Sequence, residues 1–308
     1  PRAAPVSGCT YLDLEDLADV RTAARRLRQA VGDGAPRLAI CHRYRAYRVL
    51  RGAGLDVPRK VTVAHEFGFF KRLQRRFERR LFARDVLFAG VSPAVQAELA
   101  GTVPDPLCLP NAVDVQQLEQ ACLTRAAALD RLGVSASEAL TIGLVGRLVE
   151  KKSPELAIEA IRRLADTGMV VRLLFVGDGP LRAELEARAE GLPVIFLGFV
   201  PEAKQLFRAF DALLLTSQEV EAFGMVALEA MCAGIPVVAG PTPGPQYVLG
   251  STGFYYNQRQ PEQIADAVRR LEQARRAGEL QERAGKALER AEREFSVSAL
   301  AGHLSALL

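Results

Sequence analysis

From Leu140 onward, apolar and polar positions change period in a regular order. Leu140–Val145 is a short apolar run, the mark of a strand covered on both faces. Leu156, Ala157, Ala160, Ile161 and Leu164 then recur at the helical period. Further strands are predicted over 170–176, 194–197, 212–216 and 236–239, and helices over 180–190, 202–209, 224–233 and 261–276. Pro180 is expected at the first helical position of its helix, where a missing N–H does no harm. Strand and helix in alternation imply a parallel sheet with helices on both faces. The second half therefore reads as one complete doubly wound α/β domain.

The first half alternates as well. Strands are predicted at Cys9–Leu12, Leu38–Cys41, Val61–His65, Val86–Val91 and Leu107–Leu109, with helices at 14–31, 70–84 and 93–100. No opening strand with a glycine-rich turn precedes them. The first domain is therefore expected to lack at least one βαβ unit, about thirty residues or more, at its N-terminus; a naturally short domain is the competing reading. Residues 112–138 carry no strand pattern and read as a connection, and 284–308 reads as helical. The expected division is 1–115 for the first domain and 116–290 for the second, with 291–308 a C-terminal helix returning toward the first.

A chain of 308 residues accommodates two such domains, and 49% hydrophobic with 25% charged residues is an ordinary globular balance. No apolar run approaches the roughly 18 residues that span a bilayer, and no basic-then-apolar leader opens the chain; the cytoplasm is the expected location. The five cysteines lack C-x-x-C spacing, which argues against a zinc site or a disulfide framework. Cys41, Cys108 and Cys232 sit among apolar neighbours and read as small core residues. The net charge of +4 hides an asymmetry. Residues 1–110 hold 19 Lys/Arg against 11 Asp/Glu, and the remainder 21 against 25, giving +8 and −4. Such a split bears on partners rather than on fold.

The most informative stretch is Thr216-Ser-Gln-Glu-Val-Glu-Ala-Phe-Gly-Met-Val-Ala-Leu-Glu229. Gly224 lies where a strand-end loop turns into a helix, between the carboxylates of Glu221 and Glu229. Ligands of doubly wound sheets bind outside the carboxyl ends of the strands. The first amides of a helix have no intrahelical partner and suit a diphosphate. Here these are the amides of Gly224, Met225 and Val226, and glycine allows close approach. Gly146-Arg147-Leu-Val-Glu-Lys-Lys152 follows the first strand of the same domain, and two cations there can clamp a diphosphate from the other side. Taken alone, the two glutamates also read as ordinary helix-start charges, and Lys151 as a solvated one.

These segments together, G-R-L-V-E-K-K, F-V-G-D-G-P-L, V-I-F-L-G-F-V and E-A-F-G-M-V-A-L-E-A-M-C-A-G-I-P-V-V, resemble glycosyltransferase family 4, metal-independent retaining enzymes of the GT-B fold with two facing Rossmann-like domains. The resemblance is strong over 140–290. It extends more weakly to Val63-Ala-His65-Glu-Phe-Gly, Gly90-Val-Ser92-Pro-Ala and Pro110-Asn111-Ala-Val-Asp114. It implies that Arg147 and Lys152 neutralise the leaving diphosphate and that Glu221 holds the transferred sugar with the backbone of Phe223 to Met225. Met225 and Val226 would cradle phosphate, Gly146 would belong to the donor turn, Glu229 would bind ribose, and the backbone of Phe199 and Val200 would hold the base. His65 would lie near sugar and acceptor; a strand-end histidine with a structural hydrogen bond is the competing reading. Ser153 and Ala112 stand where the family usually has Gly, and Tyr247 where a glutamate is common.

The resemblance implies transfer of a sugar from a nucleotide-diphosphate donor to a glycan or lipid-linked acceptor, with no cofactor and no metal. Competing enzymes are a sucrose- or trehalose-type synthase, a nucleotide-sugar epimerase, and a dehydrogenase suggested by Gly177-Asp-Gly179. The last lacks a complete G-x-G-x-x-G. A catalytically silent fragment is a further alternative. Residues 71–84 hold seven basic residues and one acid, with Phe70, Leu73, Phe77 and Leu81 on one helical face. That stripe either packs on the first domain's sheet or, with the arginines, attracts an anionic membrane surface. The second reading points to peripheral attachment at the inner face of the cytoplasmic membrane and an acceptor such as a lipopolysaccharide core. Nucleic acid is not expected, because no aromatic-interleaved motif accompanies the charge.

Overall fold

The computed structural model describes residues 19–34, 36–82, 85–218 and 221–307. The strand expected at Cys9–Leu12, the start of the helix expected at 14–31 and the last two residues of the one expected at 70–84 lie outside them. The chain separates into two compact units. One runs up to Leu109 and takes in the chain from Leu304; the other is Pro110–His303. The division thus falls six residues before the expected 115/116 boundary.

In the first unit, α1 (Val20–Val31) begins at Asp19, whose carboxylate accepts from the amides of Arg21 and Thr22. Then follow β1 (Leu38–His42), α2 (Arg43–Ala53), β2 (Arg59–Ala64), α3 (Leu73–Phe82), β3 (Val86–Gly90), α4 (Pro93–Ala100) and β4 (Leu107–Cys108). The four strands are parallel, in the order β1-β2-β3-β4. Helix α2 was not expected. Arginines at 43, 45, 48 and 51 mask a helical stripe of Tyr44, Tyr47, Leu50 and Ala53, all of them buried.

Helix α3 is oriented against its hydrophobic pattern. Leu73, Phe77 and Leu81 are 79, 64 and 53% exposed, whereas Glu78 is buried. The Glu78 carboxylate accepts hydrogen bonds from Tyr44 (2.8 Å) and Gln74 (3.0 Å) and pairs with Arg48 and Arg51 at 3.6 Å each. Only Phe70, before the helix, joins the core, edge-on to Phe69 and Phe88. The reading in which the stripe packs on the sheet is therefore corrected: a satisfied buried carboxylate fixes the opposite face inward.

The second unit opens with α5 (Val115–Ala121) and α6 (Arg125–Arg131), two short helices in the stretch expected to be a plain connection. Then come β5 (Leu140–Val145), α7 (Pro154–Asp166), β6 (Val171–Val176), α8 (Arg182–Arg188), β7 (Val194–Phe196), a 3-10 turn over Ala203–Ala209, β8 (Ala212–Leu215), α9 (Met225–Cys232), β9 (Val237–Ala239), α10 (Pro243–Leu249), β10 (Phe254–Tyr255), α11 (Pro261–Arg276), α12 (Leu280–Phe295) and α13 (Val297–Ser305), of which Leu304 and Ser305 already belong to the first unit. Pro180 falls two residues before α8 rather than at its first position. Six parallel strands lie in the order β10-β9-β8-β5-β6-β7. The chain winds one way from β5 to β7 and the other from β8 to β10, the Rossmann order. Strands β6 and β8 are buried along their whole length, hence their apolar runs. Gly143 in β5 lies against the Phe210 ring, where a Cβ would come within 2.5 Å. Cys41 and Cys232 are buried, and Cys108 is half-buried. Burial pushes the Cys41 thiol up to about 11 and the Cys232 thiol up to about 12.

Candidate active site

The winding of the second sheet reverses between β5 and β8, and the loops leaving those two strands form the site. After β5, Gly146 takes φ 151° and Arg147 projects exposed, with no ion-pair partner among the described residues. A 3-10 turn over Glu150–Lys152 follows. Ser153 then holds φ 43°, the left-handed region, which explains why glycine is usual there. Its hydroxyl donates to the Glu150 carbonyl (3.3 Å) and accepts from Arg259.

The loop after β8 is fastened to this turn. The Thr216 hydroxyl donates to the Lys152 carbonyl (2.7 Å), and the Gln218 amide donates to the Lys151 carbonyl (2.9 Å). Lys152 Nζ then lies 2.9 Å from Glu221 Oε2, with both side chains mostly buried. Helix α9 starts at Gly224, whose φ of 97° suits glycine alone, and no side chain caps it. The amides of Met225 and Val226 accordingly lack helical partners. Helix α10 supports the same loop. Gly244 donates its amide to the Glu221 carbonyl (3.1 Å), and a Cβ on Gly244 would sit 2.4 Å from the Phe223 nitrogen. Tyr247, the departure from the family pattern, stands edge-on to Phe223 and Phe295 at centroid separations of 6.3 and 5.5 Å. It serves the packing behind the loop.

The glycines of Gly177-Asp-Gly179 have a structural cause. A Cβ on Gly177 would lie 1.9 Å from the Gly146 carbonyl oxygen, and one on Gly179 would lie 2.3 Å from that of Leu148. These residues let the β6 loop run against the Gly146–Leu148 turn, so they need no dinucleotide to explain them. Beyond β7, Phe199 is 77% exposed and Val200 half-buried. Glu229, half-buried on α9, feels Lys204 and Glu202 from the turn that follows. Burial raises its carboxyl above the ordinary range, and Lys204 partly offsets the rise.

Of the sequence-predicted residues, Gly146, Arg147, Lys152, Glu221, Phe223, Gly224, Met225 and Val226 thus meet at one end of the second sheet, with Glu229 and the Phe199–Val200 segment on neighbouring elements. His65 belongs to the first unit, after β2, where its Nε2 lies 2.8 Å from Nδ1 of His42 at the end of β1. Burial pushes both imidazoles below the usual histidine range; His42 and Arg43 lower His65 further. The sequence reading missed His42, whose only signal is its place at a strand end.

A Rossmann-ordered parallel sheet with cations and uncapped helix amides at its reversal point defines a doubly wound α/β domain whose site has the geometry and charge that suit an anionic ligand. The sequence profile of glycosyl transferases group 1 matches residues 130–290, more than half of the chain. The chain belongs to that family. It is 37% identical over 133 residues to the GDP-mannose-dependent alpha-(1-6)-phosphatidylinositol dimannoside mannosyltransferase of Mycobacterium tuberculosis, covering 41% of this chain and 34% of that one. It is 39% identical over 137 residues to the 2-deoxystreptamine glucosyltransferase of Streptomyces kanamyceticus, covering 42% and 35%. The matched stretch spans about a third of the length of these relatives. The crystal structure of Anabaena HepE in complex with UDP and glucose superposes with a TM-score of 0.74 at 21% identity, over 93% of this chain and 80% of that one. That likeness concerns the fold, two parallel-sheet domains of the GT-B type.

Proposed function

We propose that the protein is a retaining family 4 glycosyltransferase that moves a sugar from a nucleotide-diphosphate donor to a glycan or lipid-linked acceptor. The observation that carries this reading is the Lys152–Glu221 pair beside the uncapped start of α9. One ion pair joins the cation assigned to the diphosphate with the carboxylate assigned to the sugar. The bond from the anomeric carbon to the β-phosphate oxygen breaks while the acceptor oxygen bonds to the same face. The acceptor's proton passes to the departing phosphate oxygen. Negative charge grows on that oxygen, where Arg147, Lys152 and the amides of Met225 and Val226 stabilise it. Glu229 accepts from ribose hydroxyls, and the Phe199–Val200 backbone holds the base. Protein cations take the place of a metal, so activity is expected to persist in excess chelator; strict dependence on magnesium or manganese contradicts this.

The acceptor side is proposed to be the first unit, with His65 near the sugar and α3 resting on an anionic membrane surface at the cytoplasmic face. The outward Leu73, Phe77 and Leu81, ringed by Arg72, Arg76 and Arg80, fit an interfacial helix. Among the described residues no helix is long and apolar enough to cross a membrane. The acceptor is then an envelope glycan such as a lipopolysaccharide core. A thermal-shift screen of nucleotide sugars tests the donor assignment, since the ligand that binds the native state raises the melting temperature. No rise with any of them speaks against it.

A further inference from the structure

A cavity of about 380 Å³ opens in the first unit at the carboxyl ends of β1 and β2, the side of a parallel sheet where ligands bind. Arg43, Arg45, Lys71, Arg72 and Arg75 line it together with His65. Glu66 is the one carboxylate in the same lining. Arg43, Lys71 and Arg72 are exposed and have no ion-pair partner among the described residues. Arg75 is fixed in place: it donates to the Phe69 carbonyl (2.8 Å), and its guanidinium lies 4.8 Å from the centre of the Tyr44 ring. Arg43 holds φ 74° at the first position of α2. An arginine there is strained where glycine would not be, so a side chain is kept at the expense of the backbone.

We propose that this cavity binds a phosphate group of the acceptor. The inference rests on the glycosyltransferase reading of the chain and names the chemistry its acceptor must carry. Guanidinium forks match phosphate oxygens bidentately, and an excess of cations over carboxylates in a concave site favours a dianion over a neutral sugar. His65, whose imidazole burial and the neighbouring Arg43 hold below the usual histidine range, lines the same cavity.

The test is calorimetric titration of the whole protein with inorganic phosphate, glycerol 3-phosphate and glycerol at fixed ionic strength. Both phosphates should bind and glycerol should not. Lys71→Ala and Arg72→Ala should each weaken binding by about tenfold, while Arg21→Ala, an exposed cation outside the cavity, leaves it unchanged. Arg43→Gly should weaken binding yet melt no lower than the wild type, which a merely structural arginine would not do. Phosphatidylglycerol vesicles that displace bound glycerol 3-phosphate identify a lipid headgroup as the source. Vesicles that bind without displacing it indicate a soluble phosphorylated acceptor. Phosphates that bind no better than glycerol, or binding indifferent to these variants, overturn the proposal. Nucleotide-sugar binding measured in parallel separates the two claims, because its absence defeats the glycosyltransferase reading and leaves the phosphate result to stand by itself.

Discussion

Replacing Leu73, Phe77 and Leu81 by serine separates the two things a hydrophobic stripe can do. Full burial of a Leu or Phe side chain is worth about 2 kcal/mol. The three side chains leave between half and four-fifths of their surface to solvent. Scaled by those fractions, insertion into an interface gains about 4 kcal/mol, or about a thousandfold in partition coefficient. Phe77→Ser alone should weaken partition by about tenfold. Each arginine near an anionic surface adds about 1 kcal/mol, and salt screens that part. The assay is co-sedimentation with phosphatidylglycerol and phosphatidylcholine vesicles at low and moderate salt. Binding to the anionic vesicles should collapse in the triple variant and weaken when Arg76 and Arg80 are reversed to glutamate. The melting temperature of the free protein should hardly move, because exposed side chains contribute within about 0.5 kcal/mol. A stripe packed on the sheet would instead cost about 2 kcal/mol or more per residue. Wild-type vesicle binding by the triple variant, or its marked destabilisation, refutes an interfacial role for the stripe.

Two further substitutions probe the donor side. Ser153 sits at φ 43°, so Ser153→Gly should be about 1 kcal/mol more stable than Ser153→Ala in urea denaturation; equal stabilities count against the strained turn. Glu229 has a carboxyl raised by burial, so its charged form costs stability above that raised value. Below the ordinary 4.5 the group is protonated in folded and unfolded chains alike. Glu229→Gln should therefore raise the melting temperature at pH 7, with the gain fading as pH falls through 4.5, while donor affinity drops. A gain that persists at pH 3 contradicts the assignment.

The second sheet was legible because strands covered on both faces read as unbroken apolar runs, and α7 and α11 show the helical period plainly. Elements held by tertiary context were not legible. Strand β10 is two residues long and exists because Phe254 and Tyr255 pair with Val238 and Ala239. Helix α10 is disguised by Pro243, Gly244 and Pro245, of which Gly244 is needed for its approach to Phe223. Periodicity identified the apolar face of α3 but not the side it turns to. Glu78 decides that, and a carboxylate in a basic helix gives no hint that it is buried. Within the site, residue identities came from motif spacing. The Lys152–Glu221 contact spans 69 positions and the His42–His65 contact 23, distances at which the pattern along a chain carries no pairing information.

The proposed role of Arg147 and Lys152 is to stabilise a departing nucleoside diphosphate. It is tested most directly by release of that diphosphate from the preferred nucleotide sugar, measured for the wild type, Arg147→Ala and Lys152→Ala, with melting temperatures recorded alongside. Turnover should be lower by about a hundredfold or more in each variant, as for other preorganised charge stabilisers, with the fold intact. Wild-type turnover in both variants would contradict it.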